Sequence, residues 1–355
     1  MDTLILRDDT VLDHNPGPGH PENPARLAAV LKDLDERPII GTRTVAPRLA
    51  SRSELERVHT SAHVDIVEST EGKPHVVLDN DTVTSPGSWL AARCAAGATL
   101  SAVEAVVSGE ASGAFALVRP PGHHAEAGHA MGFCLFNNVA VAAEHARNEL
   151  GCERVLILDP DVHHGNGTQH AFQNRADVMY VSSHRYPFYP FTGPVTDIGN
   201  REGSGFTVNL PLSQGMGDAD LLHVYQDVVT PIVAGFQPDL ILVSAGFDTW
   251  HSDPVGDLGV TRAGFDALFE LFSAWSDAYC PGRLVATLEG GYDPSGVVQG
   301  VRASLRALTA RTSASSSGEA GADIGLDSAP CSEARITAVE ARKALAPWWP
   351  KLRQG

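Results

Sequence analysis

The chain has 355 residues, 43% of them hydrophobic and 19% charged, with a formal net charge of −17. That is the profile of an ordinary globular chain, long enough for one large α/β core or two smaller ones. The acidic balance disfavours direct nucleic-acid binding, which needs clustered Lys and Arg. The five scattered cysteines (Cys94, Cys134, Cys152, Cys280, Cys331) contain no CxxC pair and predict neither a disulfide framework nor a zinc–thiolate knuckle.

The N-terminal "MDTLILRDDT" is acidic rather than a basic stretch leading into an apolar one. No run of about 18 apolar residues is evident, so a soluble cytoplasmic protein without a membrane segment is expected. The first clear helix is "SWLAARCAAGATLSAVEAVVSG" (88–109), and a strand, "GAFALVRP" (113–120), follows it. The helix "FNNVAVAAEHARNEL" (136–150) precedes the strand "RVLILDPD" (154–161). Next come the strands "VMYVSSH" (178–184) and "DLILVSAGFD" (239–248), the helix "TRAGFDALFELFSAWSDAY" (261–279) and the strand "RLVATLEGGY" (283–292). Alternating strands and helices predict a parallel sheet covered on both faces, in one domain over residues 1–310. Residues 311–333 read as a polar linker. Residues 334–355 read as a helix and tail packing back on the domain through Trp348 and Trp349.

The five strands each end in polar or glycine-rich residues, and in open α/β sheets ligands bind beyond the carboxyl ends of strands. In "LDPDVHHGNGTQH" (158–170), the period of two puts Asp159, Asp161 and His163 on one side. Asp248 ends another strand. Two carboxylates and one imidazole make a three-ligand divalent site with a position left open for water or substrate. The competing reading has Asp161 and Asp248 capping the helices that follow them. "RPPGHHAEAGHAMGFCLFNN" adds the tandem His123 and His124 behind a rigid turn. "LEGGY" places Tyr292 after two glycines that let the backbone come close.

"RPPGHH", "GFC", "DVHHGNGTQ", "SAGFD", "DP.G" (from Asp253) and "EGGY" resemble, in this order, the zinc-dependent histone deacetylase superfamily. That family includes bacterial deacetylase-like amidohydrolases and acetylpolyamine amidohydrolases. The likeness covers about residues 10 to 310 and leans to the class II branch through "HPENPARL", "NNVAVAA" and "EGGY". It implies an arginase/deacetylase-type three-layer α/β fold with a central eight-stranded parallel sheet. It also implies removal of an acetyl or other acyl group from an N-acylated amine by metal-activated water, with acetylpolyamine deacetylation as the alternative.

Carried over by position, the resemblance makes Asp161, His163 and Asp248 the ligands of one zinc ion, in a set that would also accept Fe²⁺. His123 and His124 become the catalytic pair, oriented by Asp159 and Asn166 respectively, and Tyr292 the oxyanion donor. Gly132, Phe133, Tyr189 and Gly291 would border an acyl-lysine tunnel, with Asp81 at its rim. Val255 stands where polyamine-selective relatives can carry a glutamate. A structural K⁺ or Na⁺ would use Asp159, Asp161, His163, Ser182 and Ser183, and a second Phe172, Arg175, Val178 and Phe206. The expected partners are small N-acylated amines or acyl-lysine, with no nucleic acid and no membrane, and a homo-oligomer is open. The chain departs from the family at Pro160, where a bulky apolar residue is usual, which puts the local backbone geometry in question.

Two other readings compete. Binuclear manganese ureohydrolases share the fold but need a second set of bridging carboxylates. A binding module without catalysis would not need His124 and Tyr292.

Overall fold

The computed structural model describes residues 1–310, 324, 326 and 328–353. The strands are β1 (Thr3–Leu6), β2 (Thr42–Val45), β3 (Val76–Val77), β4 (Val83–Thr84), β5 (Ala114–Ala116), β6 (Val155–Asp159), β7 (Val178–Arg185), β8 (Thr207–Leu212), β9 (Leu240–Ala245) and β10 (Leu284–Leu288). Eight of them form one parallel sheet in the order β2-β1-β5-β10-β9-β6-β7-β8, and β3 and β4 form a small antiparallel pair.

The five strands legible in the sequence are the five contiguous central ones. Central parallel strands are buried on both faces and read as unbroken apolar runs. Alternate side chains feed two cores: Leu156, Leu158, Met179 and Val181 face one way, Val155, Ile157, Val178 and Tyr180 the other. The helices Ser88–Val107 and Asn138–Asn148 cover one face, while Ala25–Glu36, Arg262–Tyr279, Pro294–Ala310 and Ser332–Leu345 cover the other. The result is the expected three layers.

Two expectations change. The helix Ser88–Val107 is long and apolar enough to cross a membrane by length and composition, contrary to the reading that no such run exists; 72% of that stretch is buried inside the protein, as suits a core helix. The last helix starts at Ser332, with the Cys331 thiol at its N-cap, rather than at 334. Most of the 311–333 linker lies outside the described residues. The tail does pack back, since Trp349 Nε1 donates to the Gly205 carbonyl (2.7 Å) and its ring meets Phe206.

Candidate active site

Strand β6 stops at Asp159, so the alternation that suggested a shared face ends there. Asp161 and His163 lie in the bend beyond it, and the bend itself turns them together. His163 N–H donates to Asp161 Oδ1 (2.9 Å), and His163 Nδ1 lies 3.1 Å from that oxygen and 3.2 Å from Asp248 Oδ2. Pro160 falls just past the last sheet pair, Asp159 with Ser182, where its missing N–H costs no ladder bond.

Neither aspartate caps a helix. The helix after Asp161 begins beyond Gly165, and the one after Asp248 is capped by Thr261. Instead, Asp161 Oδ2 accepts from Gly290 N–H (2.9 Å) and Asp248 Oδ1 from Val162 N–H (2.8 Å). The loops after β6, β9 and β10 are thereby tied at one point. A Cβ at Gly290 would collide with both carboxylates, which is what the glycine there avoids.

One ligand atom each from Asp161, His163 and Asp248 lies within 4.8 Å of the others, and all three residues are buried. Asp248 Oδ2 is buried without a hydrogen-bond partner. Burial and the Asp161 carboxylate push Asp248 up to about 7. Burial opposes the His163 cation, yet the two facing carboxylates hold that imidazole up at about 9. Both shifts mark excess negative charge in a dry pocket, and two carboxylates with one imidazole fit a single divalent ion.

The histidine pair sits after β5. Gly122 N–H and His123 N–H donate to Glu289 Oε2 (2.5 and 3.2 Å), so the β10 loop clamps the turn that carries the pair. His123 Nδ1 lies 3.1 Å from Asp159 Oδ2, which also accepts from Tyr180 O–H. His124 Nδ1 lies 2.8 Å from Asn166 Oδ1. Burial disfavours charge on both rings. At His123 the Asp159 and Asp161 carboxylates outweigh it and hold the pKa at about 10. At His124 the neighbouring His123 and His163 add to it and drive the pKa well down. The two rings are thus pushed in opposite directions, His123 towards the cation and His124 towards the neutral form.

A cavity of about 170 Å³ opens over this group. His124, His163 and Tyr292 form its floor; Gly132, Phe133, Tyr189, Val255 and Asp81 line it as expected. Gly132 and Phe133 both have positive φ (56° and 68°), and a Cβ at Gly132 would strike the His124 ring. Asp81 Oδ1 accepts from Gly132 N–H (3.1 Å), joining rim to wall. Gly291 is not among the lining residues; its carbonyl accepts from Arg26 Nε.

The expected cation-site residues are dispersed through neighbouring bonds. Ser182 Oγ meets His184 Nδ1 (2.9 Å), and Ser183 Oγ meets Tyr225 O–H (3.1 Å). The Phe172 carbonyl accepts from Arg175 N–H and the Phe206 carbonyl from Tyr180 N–H, while Val178 pairs with Val155.

Several residues of the site escaped the sequence reading. Phe188 stacks on His163 (5.5 Å between centroids, 21°) and lines the cavity. Asp253 accepts from Tyr292 N–H (2.6 Å) and Val255 N–H (2.9 Å), fixing floor and wall together. Arg26 reaches over the Tyr292 ring (4.7 Å) and bonds the Glu289 carbonyl (2.6 Å). Arg26 is in turn paired through Glu22 to Arg119 (2.9 and 2.6 Å), all three buried. The four-residue spacing of Glu22 and Arg26 in "HPENPARL" was the available signal. Glu22→Ala would strand two buried guanidinium groups, so a loss of about 3–5 kcal/mol is expected in denaturant unfolding.

A second group with metal-like spacing, Glu54, Glu104 and His145, shares no residue with the first. The Arg48 guanidinium already bridges its two carboxylates (2.6 and 2.7 Å).

The sequence profile of the Histone deacetylase domain matches residues 20–308. The chain is 41% identical over 295 residues to "Histone deacetylase 15" of Arabidopsis thaliana, covering 81% of this chain and 52% of that protein. It is 38% identical over 301 residues to a "Probable deacetylase" of Archaeoglobus fulgidus, covering 84% and 83%. It is 38% identical over 346 residues to "Polyamine deacetylase HDAC10" of Homo sapiens, covering 94% and 50%. The chain thus spans about half the length of the plant and human relatives. The crystal structure of the HDA15 HD domain superposes with a TM-score of 0.90 at 37% identity, covering 99% of this chain and 96% of that one. Profile, relatives, eight-stranded sheet and the arrangement of the floor agree, and the chain belongs to the histone deacetylase family.

Proposed function

We propose that the protein is a zinc-dependent amidohydrolase that removes an acetyl or other acyl group from the nitrogen of an acyl-lysine or another small N-acyl amine. The observation that carries this reading is the meeting of Asp161, His163 and Asp248 with His124 and the Tyr292 phenol around one cavity. Asp161, His163 and Asp248 would hold the ion, whose chemistry there is Lewis acidity towards the amide carbonyl and the attacking water. Zinc is the proposed occupant, with Fe²⁺ the other ion this donor set suits.

His124 gives Nδ1 to Asn166 and keeps Nε2 free, so it takes the proton of the attacking water. Tyr292 donates its hydroxyl to the carbonyl oxygen as negative charge develops there. His123, kept cationic by Asp159, stabilises that charge, and one of the pair returns the proton to the leaving amine. A carboxylate and a free amine result. Phe133, Phe188, Tyr189 and Val255 offer an apolar sleeve for an alkyl stem. We further propose, on the family resemblance alone, structural K⁺ or Na⁺ ions near Ser182 and near Phe172.

The test is a side-by-side panel of acylated lysine peptides and acetylated polyamines, with chelation as the control. Acetylpolyamine deacetylation is the second reading, favoured by the 38% identity to the human polyamine deacetylase and by the net charge of −17. Against it stands Val255, which offers a cationic stem no charge and leaves Asp81 as the acidic residue among the described residues that line the cavity. Attraction by the remaining surface acids is screened over about 8–10 Å. Acyl-lysine is therefore expected to be cleaved better than N-acetylspermidine or N-acetylputrescine, and Val255→Glu to shift kcat/KM towards the polyamines. A wild-type preference of tenfold or more for acetylpolyamines would replace the first reading with the second.

A further inference from the structure

The Asn166 side chain stands between two groups with opposite demands. Its Oδ1 lies 2.8 Å from His124 Nδ1, and its Nδ2 lies 2.5 Å from Glu126 Oε1. A carboxylate accepts hydrogen bonds and donates none, so the amide must turn its NH₂ to Glu126. Its oxygen is then left facing His124, and the imidazole nitrogen that meets an oxygen must carry the proton. His124 is thereby held as the Nδ1–H tautomer, with the lone pair on Nε2. The other contacts of Asn166 Nδ2, to the His124 carbonyl and to Met131 Sδ, are both 3.4 Å long and orient the amide weakly.

Glu126 is itself held in place. Its Oε1 also meets His170 Nδ1 (2.8 Å), and His170 lies one helical turn after Asn166 on the helix Asn166–Phe172. Its main chain is fixed by His129 and by His59 Nδ1, which lies 2.9 Å from the Glu126 carbonyl. The Glu126 and His170 side chains are 23% and 45% exposed, so this chain of contacts runs from the buried base to the surface.

We propose that Glu126, tethered by His170, is a positioning residue that fixes the Asn166 amide and so selects the tautomer in which His124 can act as a base. The inference rests on the reading of His124 as the general base. With Glu126 gone, only the two 3.4 Å contacts to the His124 carbonyl and Met131 Sδ oppose the flipped amide. That flip would present an N–H to Nδ1 and place the imidazole proton on Nε2, where it blocks proton abstraction.

The test has a structural and a kinetic arm, both on the metal-loaded protein. Nitrogen-15 spectra of histidine-labelled protein, with His124 assigned by difference from His124→Ala, report the tautomer directly. The wild type is expected to show Nδ1–H alone, Glu126→Ala a mixture, and Glu126→Gln, which can donate as well as accept, at most a partial return to the wild-type pattern. In turnover, Glu126→Ala should lower kcat on the order of tenfold or more, with KM and metal content unchanged and with at most partial recovery in Glu126→Gln. In an Asn166→Asp background both oxygens accept, either face suits His124, and Glu126 becomes a repelling neighbour. There Glu126→Ala should cost nothing or raise kcat. An unchanged tautomer in Glu126→Ala, or an equal loss in both backgrounds, overturns the proposal. An inactive wild type whose His124 is locked by Glu126 would discard the function and keep the positioning role.

Discussion

Tyr292→Phe is expected to lower kcat by about a hundredfold or more while leaving the fold and the metal content intact. The ring is held independently of its hydroxyl: Arg26 lies over its face, Phe133 meets it edge-on, and Asp253 accepts from its main-chain N–H. Phenylalanine keeps all three contacts, so the substitution removes one donor and little else. Burial keeps the phenol pKa well above its ordinary value, partly offset by the Arg26 charge, so Tyr292 is a hydrogen-bond donor throughout the neutral range. A donor that bonds the oxyanion more strongly than the ground-state carbonyl is worth about 2.7–4 kcal/mol, or roughly a hundredfold to a thousandfold in rate. Steady-state kinetics on the preferred acyl-amine measures it. Near-normal turnover would take the tyrosine out of the mechanism and revive the reading of a fold that binds acylated amines without cleaving them.

The sequence reveals the centre of this protein better than its edges, for a physical reason. The five central strands are apolar on both faces, so they stand out as runs, and their carboxyl ends carry the chemistry. The flanking strands give weaker signals. "TRTV" of β2 is half exposed and polar, "TLIL" of β1 is four residues long, and β8 contains Pro211, which an edge strand can hold. In the site, Asp161, His163, Asp248, His123, His124 and Tyr292 were legible because each follows a recognisable strand. The rule of alternation was the wrong reason for Asp161 and His163, since the strand ends before them and a bend aligns their side chains. Beyond the four-residue spacing of Glu22 and Arg26, the roles of Arg26, Glu22, Asp253, Glu289 and Glu126 were not legible. They act through contacts far apart in the chain, such as Glu289 with Gly122 and Arg119 with Glu22, and local spacing carries no trace of those.

Asp248→Ala is expected to abolish activity by emptying the metal site, and the companion Asp248→Asn separates ligation from folding. The aspartate has two tasks, one for each oxygen. Oδ1 receives Val162 N–H and so ties the β9 loop to the bend after β6; Oδ2 is buried without a hydrogen-bond partner and lies 3.2 Å from His163 Nδ1. Alanine removes both, and the stranded Val162 N–H should cost about 1–3 kcal/mol of stability. Asparagine keeps an oxygen for Val162 and should recover that stability. It cannot restore the negative charge that the ion requires, so it should bind metal far more weakly than the wild type. Two ligands, Asp161 and His163, would remain, one short of the three a catalytic zinc site uses. Metal analysis of the three proteins, read beside their unfolding curves, gives the outcome. One ion per wild-type chain and next to none in both variants supports the three-ligand site. Unchanged metal in Asp248→Asn would move the ion elsewhere. Two ions per wild-type chain would favour the binuclear ureohydrolase chemistry. Its second ligand set would have to be found beyond Glu54, Glu104 and His145, where a guanidinium already occupies the cation's place.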